Sequence, residues 1–114
     1  MSRVYKILDR AAWEAAQAAG VFEGAEIDRR DGYIHLSTAE QAGETARLHF
    51  RGRADLVVLE LEGDDLGAAL RWEPSRGGRL FPHLYATLDP ARVRAVHEAP
   101  LGSDDAPALP DLPA

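Results

Sequence analysis

Leu56-Val57-Val58-Leu59-Glu60-Leu61 is the clearest strand signal in the chain. A run this apolar reads as a central strand buried on both faces. Working back towards the N-terminus, Gly52 closes a helix that starts after Ser37-Thr38-Ala39-Glu40. Those four residues match a capping box, with the serine oxygen capping the first turn and the glutamate reaching back. Ala39, Ala42, Ala46 and Phe50 recur at helical spacing along one face. Before the cap, Asp31-Gly32 signals a turn and Tyr33 to Leu36 a short strand. Glu23 to Asp31 is charged and reads as a loop, with a short strand near Ile27 as an option. Farther out, Arg3 to Leu8 reads as a first strand and Asp9 as the N-cap of an Ala-rich helix over Arg10 to Ala19. Trp13, Ala16 and Gln17 mark one face of that helix, and Gly20 suits its C-terminal stop.

On the C-terminal side, Asp64 to Leu70 reads as a short helical turn. Arg71-Trp72-Glu73 is a strand ended by Pro74, and Leu80 to Tyr85 another short strand shaped by Pro82. Val93 to Leu101 holds a last strand with Val93 and Val96 as core contacts. The elements predict an α+β fold in one globular domain over residues 1–101. From Gly102 the chain is rich in Pro, Asp and Ala, and residues 102–114 read as a flexible tail.

Bulk properties narrow the function classes. The 114 residues suit one domain with a modest core. There is no cysteine, which excludes disulfides, thiolate metal sites and a cysteine nucleophile and fits a reducing, cytoplasmic setting. No stretch approaches the roughly 20 apolar residues of a membrane span, and the first residues lack the apolar core of a signal peptide. A net charge of −6 disfavours general nucleic-acid binding without excluding a local cationic pocket. The oligomeric state is not encoded in any pattern.

Two stretches carry chemistry. In Gly32-Tyr33-Ile34-His35-Leu36-Ser37-Thr38, a strand puts His35 and Ser37 on one face and Leu36 on the other. The free N–H groups of the helix that follows favour an anion near His35, Ser37 and Thr38. The plainer alternative is a cap at Ser37 and a buried, hydrogen-bonded His35. In Arg71 to Tyr85, Gly77 and Gly78 let backbone approach a ligand. Arg76 or Arg79 suits a phosphate, Trp72 a planar ring, and His83 a base or a donor to an oxyanion. The alternative there is a hairpin with a solvated basic tip and Trp72 in the core. The four histidines show no regular ligand spacing. A metal site would have to combine His35 and His83 with a carboxylate such as Glu73.

Tyr5-Lys6-Ile7-Leu8, Gly32 to Thr38, Arg71-Trp72-Glu73-Pro74 and Phe81-Pro82-His83-Leu84-Tyr85 together resemble a bacterial family, the domain of unknown function 952, over roughly residues 3 to 100. The resemblance implies an ADP-ribosyltransferase-like fold, a split mixed β-structure with two main helices and a nucleotide cleft. RNA 2′-phosphotransferases of that fold are similar in layout to the strand and helix at Val4 to Phe22 and to Ile34-His35-Leu36-Ser37 with its helix. Lys6 stands where those enzymes carry a ribose-holding histidine.

The resemblance implies NAD, or another nucleotide or phosphate ligand, as substrate, with no further cofactor assigned. On it, Lys6 and His35 hold ribose or phosphate, and Ser37 and Thr38 add hydrogen bonds. Tyr85 or Trp72 stacks on nicotinamide, Arg76 pairs with phosphate, and Glu73 or His83 polarises the acceptor. Two alternatives stay open: a binding module that kept the cleft without turnover, and a metal hydrolase using His35 and His83.

Overall fold

The computed structural model describes residues 2–114. The first strand, β1 (Arg3–Asp9), runs directly into helix α1 (Arg10–Ala19), followed by a short helix α2 (Glu26–Asp31), a two-residue strand β2 (Ile34–His35) and helix α3 (Ala39–His49). Strand β3 (Leu56–Glu62) leads through a 3₁₀ turn at Gly63–Ala69 into β4 (Leu70–Pro74). A glycine turn then leads to β5 (Leu80–Leu84), and β6 (Val93–Ala99) follows a second short 3₁₀ turn. The strands form two three-stranded sheets, ordered β1-β3-β6 and β2-β5-β4. Every strand pairing is antiparallel, where a mixed structure was expected. In the first sheet β1 and β6 run the same way, but β3 lies between them and opposes both.

β3 is the central strand that its sequence predicts, and its two faces build two cores. Val57, Leu59 and Leu61 join Val4 and Leu8 of β1, Trp13 and Ala16 of α1, and Ile34, Leu36 and Leu84 of the second sheet. Leu56 and Val58 join Tyr5, Ile7, Ala99 and Ala46 of α3. At roughly 1.5–3 kcal/mol per fully buried aliphatic side chain, this strand is the main apolar contributor. A bridge between Tyr5 and Ser37, closed by Tyr5 N–H to Ser37 O (2.8 Å) and Ser37 N–H to Tyr5 O (2.9 Å), ties the first sheet to the approach to α3.

That bridge displaces the predicted cap by one residue. Ser37 uses its backbone in the bridge, and Thr38 is the N-cap of α3. Its hydroxyl accepts from Gln41 N–H, and the Gln41 side chain accepts from Thr38 N–H. T-x-x-Q satisfies the same box as S-x-x-E. Asp9 occupies the N-cap position of α1 without capping it, because its carboxylate pairs with Arg53 at 2.7 Å. Gln17 is exposed, so the buried face of α1 is Trp13 and Ala16.

The stretch read as a loop with a strand near Ile27 is α2, and Ile27 is exposed. The Asp28 carboxylate accepts from Ala25 N–H, and Gly32, at φ +88°, ends the helix with its N–H on Asp28 O. Val96 is exposed on the edge strand β6, beyond the reach of the core, whereas Val93 packs against it.

The segment expected to be a mobile tail is seated on the molecule. Ala106 is buried, Leu109 and Leu112 pack on the core beside Tyr5 and Ile7, and the Tyr5 hydroxyl donates to Pro113 O. Gly52 N–H donates to Asp105 O at 2.7 Å. Among the described residues no helix is long and apolar enough to cross a membrane.

Candidate functional site

Between β1, α2, α3 and the second sheet lies a cleft of about 780 Å³, within the range of small-molecule sites. Period-two alternation decides what reaches it. On β5, Phe81 and His83 face the cleft while Leu84 faces the core. On β4, Glu73 shares the cleft-side face and Trp72 does not.

His35 and His83 are direct cross-strand partners between β2 and β5, with ring centroids 5.8 Å apart in an edge arrangement. Each imidazole is held at Nδ1 by a carboxylate: His35 by Asp28 (2.7 Å), His83 by Glu73 (2.8 Å). The other nitrogens differ. Nε2 of His35 lies 2.9 Å from Asp31 Oδ2, whereas Nε2 of His83 has no hydrogen-bond partner among the described residues. The His83 side chain is only 4% exposed, with the Tyr33 ring stacked on it at 4.2 Å. Tyr33 lines one end of the cleft, and its ring lies 5.2 Å from that of Tyr85.

The carboxylates explain the local electrostatics. Glu73 accepts from the Tyr85 hydroxyl (2.7 Å) as well as from His83, and these bonds, in that order, hold its carboxyl below the usual range. The same Tyr85–Glu73 bond, with some burial, raises the Tyr85 phenol. Tyr33 is raised by burial and by the charges of Asp31 and Glu73. Asp28 is the most enclosed. Burial pushes its carboxyl up, but hydrogen bonding from His35 and the charge of Lys6 push it down further, leaving it well below the ordinary carboxylate range. Burial pulls the Lys6 ammonium below its ordinary value, against the opposing pull of Asp28.

The sequence-predicted residues therefore divide. His35, His83 and Glu73 come together, with Tyr85 beside them. Lys6 lines the cleft, but its ammonium has three acceptors in place: Asp28 Oδ1 at 3.0 Å, Asp28 Oδ2 at 2.8 Å and His35 O at 3.1 Å. A free ribose-binding lysine is not what the structure presents. Lys6 stands opposite Leu59 on the face of β1 that looks into the core, and a buried ammonium requires a partner.

Ser37 and Arg76 reach the cleft at its other end, where Thr45 joins them. Ser37 Oγ lies 3.1 Å from Thr45 Oγ1, and Arg76 Nη2 donates to that oxygen at 3.3 Å. Arg76 also pairs with Glu44 at 3.3 Å and lies over the Phe81 ring at 4.8 Å. Thr38 is committed to its cap. Trp72 lies on the opposite face, half-exposed beside Leu70 and Gly63, and is neither core nor cleft.

Sequence reasoning missed Asp28, Asp31, Tyr33 and Thr45. The aspartates precede His35 by seven and four positions and meet it only because α2 folds where a loop was read. Tyr33 fell inside the quoted motif, but its stacking partner His83 comes from a strand fifty residues on. Among the described residues no group of three or more His, Asp or Glu side chains is arranged to hold a metal ion.

A family model described as a protein of unknown function, DUF952, matches residues 7–96. The crystal structure of protein CC0527 from Caulobacter crescentus is 50% identical in sequence, with a TM-score of 0.91 and 94% of each chain covered. The solution NMR structure of the same protein is 51% identical, with a TM-score of 0.84, covering 94% of this chain and 92% of that one. No curated protein matches the chain.

Proposed function

We propose that this chain, which belongs to the DUF952 family, binds a nucleotide in the cleft between its imidazole pair and Arg76, with NAD as the ligand and ADP-ribose transfer as the reaction. The observation that carries the reading is the unpartnered Nε2 of His83. It is a polar atom on a side chain 4% exposed, held by Glu73 behind it and facing the cleft. This nitrogen is reachable from the cleft, and a ligand hydroxyl or phosphate oxygen entering there supplies it with a partner.

The two ends of the cleft match the two ends of a nucleotide. Tyr33, stacked on His83, places an aromatic ring at one end for a planar ligand ring. Arg76 with the hydroxyls of Ser37 and Thr45 offers a charged, hydrogen-bonding corner to phosphate. In the transfer, the acceptor oxygen bonds to the ribose C1′ and the C1′–nicotinamide bond breaks. Nicotinamide leaves with that electron pair, and the acceptor proton passes to His83 Nε2. Glu73 stabilises the imidazolium that forms and the positive charge developing on the ribose. The protein forms no covalent bond, so positioning supplies most of the acceleration.

One observation favours a second reading, binding without turnover. Lys6 stands at the position of the ribose-holding histidine in the similar phosphotransferases, and Asp28 occupies its ammonium. One experiment covers both. Calorimetric titration with NAD, AMP and ADP-ribose is expected to give binding, and nicotinamide release is then measured with NAD in the presence of protein or RNA acceptors. Binding with release supports transfer, binding without release supports the module, and no binding of any of the three removes the nucleotide reading.

A further inference from the structure

Asp28 is 2% exposed, and both oxygens of its carboxylate are hydrogen-bonded. Oδ1 accepts from His35 N–H (3.0 Å) and Lys6 Nζ (3.0 Å), and lies 2.7 Å from His35 Nδ1. Oδ2 accepts from Ala25 N–H (2.8 Å) and Lys6 Nζ (2.8 Å). The loop before it is shaped to the same residue. Gly24 sits at φ +105°, and a Cβ there would fall 2.9 Å from Asp28 Cβ, so no other residue fits without displacing the carboxylate.

We infer that Asp28 is the positioning residue of the cleft: its carboxylate fixes the His35 ring and absorbs Lys6, leaving His83 Nε2 as the imidazole nitrogen that exchanges a proton with a ligand. The inference rests on the cleft being the ligand site, and it divides the labour of two histidines that look alike in the sequence. A carboxylate oxygen only accepts, so each bond to it requires a proton on the facing nitrogen. At His35, Nδ1 is bonded to Asp28 and Nε2 lies 2.9 Å from the Asp31 carboxylate, so a ligand reaching Nε2 of this partly exposed ring has to displace Asp31. At His83 a single carboxylate takes Nδ1–H and leaves Nε2 facing the cleft. Lys6, which would otherwise compete for a ligand anion, is neutralised in place, so the cation at the far end of the cleft is Arg76, which is paired with Glu44 across the surface.

The test reads the ligand-free protein, so it stands or falls separately from nucleotide binding. In full-length protein labelled with ¹⁵N-histidine, multiple-bond ¹H–¹⁵N spectra identify which ring nitrogens carry protons. The expected result is Nδ1–H at both His35 and His83, with the His35 proton the slower to exchange with water. A bare Nδ1 on His35 overturns the inference without any variant. The paired substitution Lys6→Met with Asp28→Leu removes the buried charges together, which spares the fold an orphaned ion. It is expected to speed His35 Nδ1–H exchange at least about tenfold, the equivalent of one charge-assisted hydrogen bond, while the His83 pattern stays unchanged. Unchanged exchange at His35, or equal acceleration at both histidines, contradicts a positioning role.

Discussion

Glu73 Oε1 lies 2.8 Å from His83 Nδ1 and 2.7 Å from the Tyr85 hydroxyl, so one carboxylate orients both the imidazole and the phenol on the cleft side of the β4–β5 hairpin. Glu73 and His83 come from adjacent strands and Tyr85 directly follows β5, and the shared side of Glu73 and His83 follows from period-two alternation and the pairing of Arg71 with His83.

Glu73→Gln is therefore expected to act on chemistry and not on folding. The side chain is 35% exposed behind His83, and its loss removes no core contact. Nicotinamide release is expected to fall about 100-fold or more, the scale of an impaired acid–base group, with the melting temperature shifted by less than about 2 °C. A melting change without a rate change would make the trio structural.

Asp28 sets the acid limit of stability. Its folded carboxyl is held below the unfolded value of about 4. Its contribution is thus complete above that value and is lost as pH falls towards the folded one. Denaturant unfolding from pH 7 down to pH 2.5 is expected to show stability declining below about pH 4. Asp28→Asn is expected to cost about 3–5 kcal/mol at pH 7, because it leaves the Lys6 ammonium buried without its counter-charge, and to flatten the acid limb. An unchanged acid limb in this variant would assign the pH dependence elsewhere.

Removing residues 102–114 is expected to destabilise the protein. Leu109 and Leu112 cover the core at Tyr5 and Ile7, and Asp105 O holds Gly52 N–H. Partial exposure of two leucines is worth roughly 2 kcal/mol, which lowers the melting temperature by about 5 °C or more in a domain of this size. Calorimetry on the chain ended at Leu101 checks this, and an unaltered melting point would mean that the segment is not held.

Trp72→Ala is expected to leave nucleotide affinity within about twofold, far inside the 1.4 kcal/mol that marks a tenfold change, because its ring lies on the face of the second sheet away from the cleft. A large loss of affinity would mean that the binding surface lies on that other face.

The elements governed by local signals were legible from the sequence. β3 announced itself by an unbroken aliphatic run, and α1 closed at Gly20, which adopts φ +78° with its N–H on Ala16 O. Glu73, His83 and Tyr85 were each singled out from the sequence, but only the register of β4 on β5 brings them within reach of one another. What stayed hidden depended on distant partners. Ser37 read as the cap of α3, and only its pairing with Tyr5 passes that role to Thr38. Asp28 looked like one more charge in a polar stretch, because neither Lys6 nor His35 is near it in sequence. The C-terminal segment has the composition of a mobile tail, and its two leucines acquire meaning only once Tyr5, Ile7 and Phe50 present a surface for them.

Titrating AMP or NAD into ¹⁵N-histidine-labelled protein and following the ring nitrogens of His83 tests the central claim most directly. The account predicts a saturable shift at His83 Nε2 accompanied by perturbation of Arg76, with His35 little changed. Ring signals at His83 that stay fixed up to millimolar nucleotide, or shifts confined to residues outside the cleft, would contradict it.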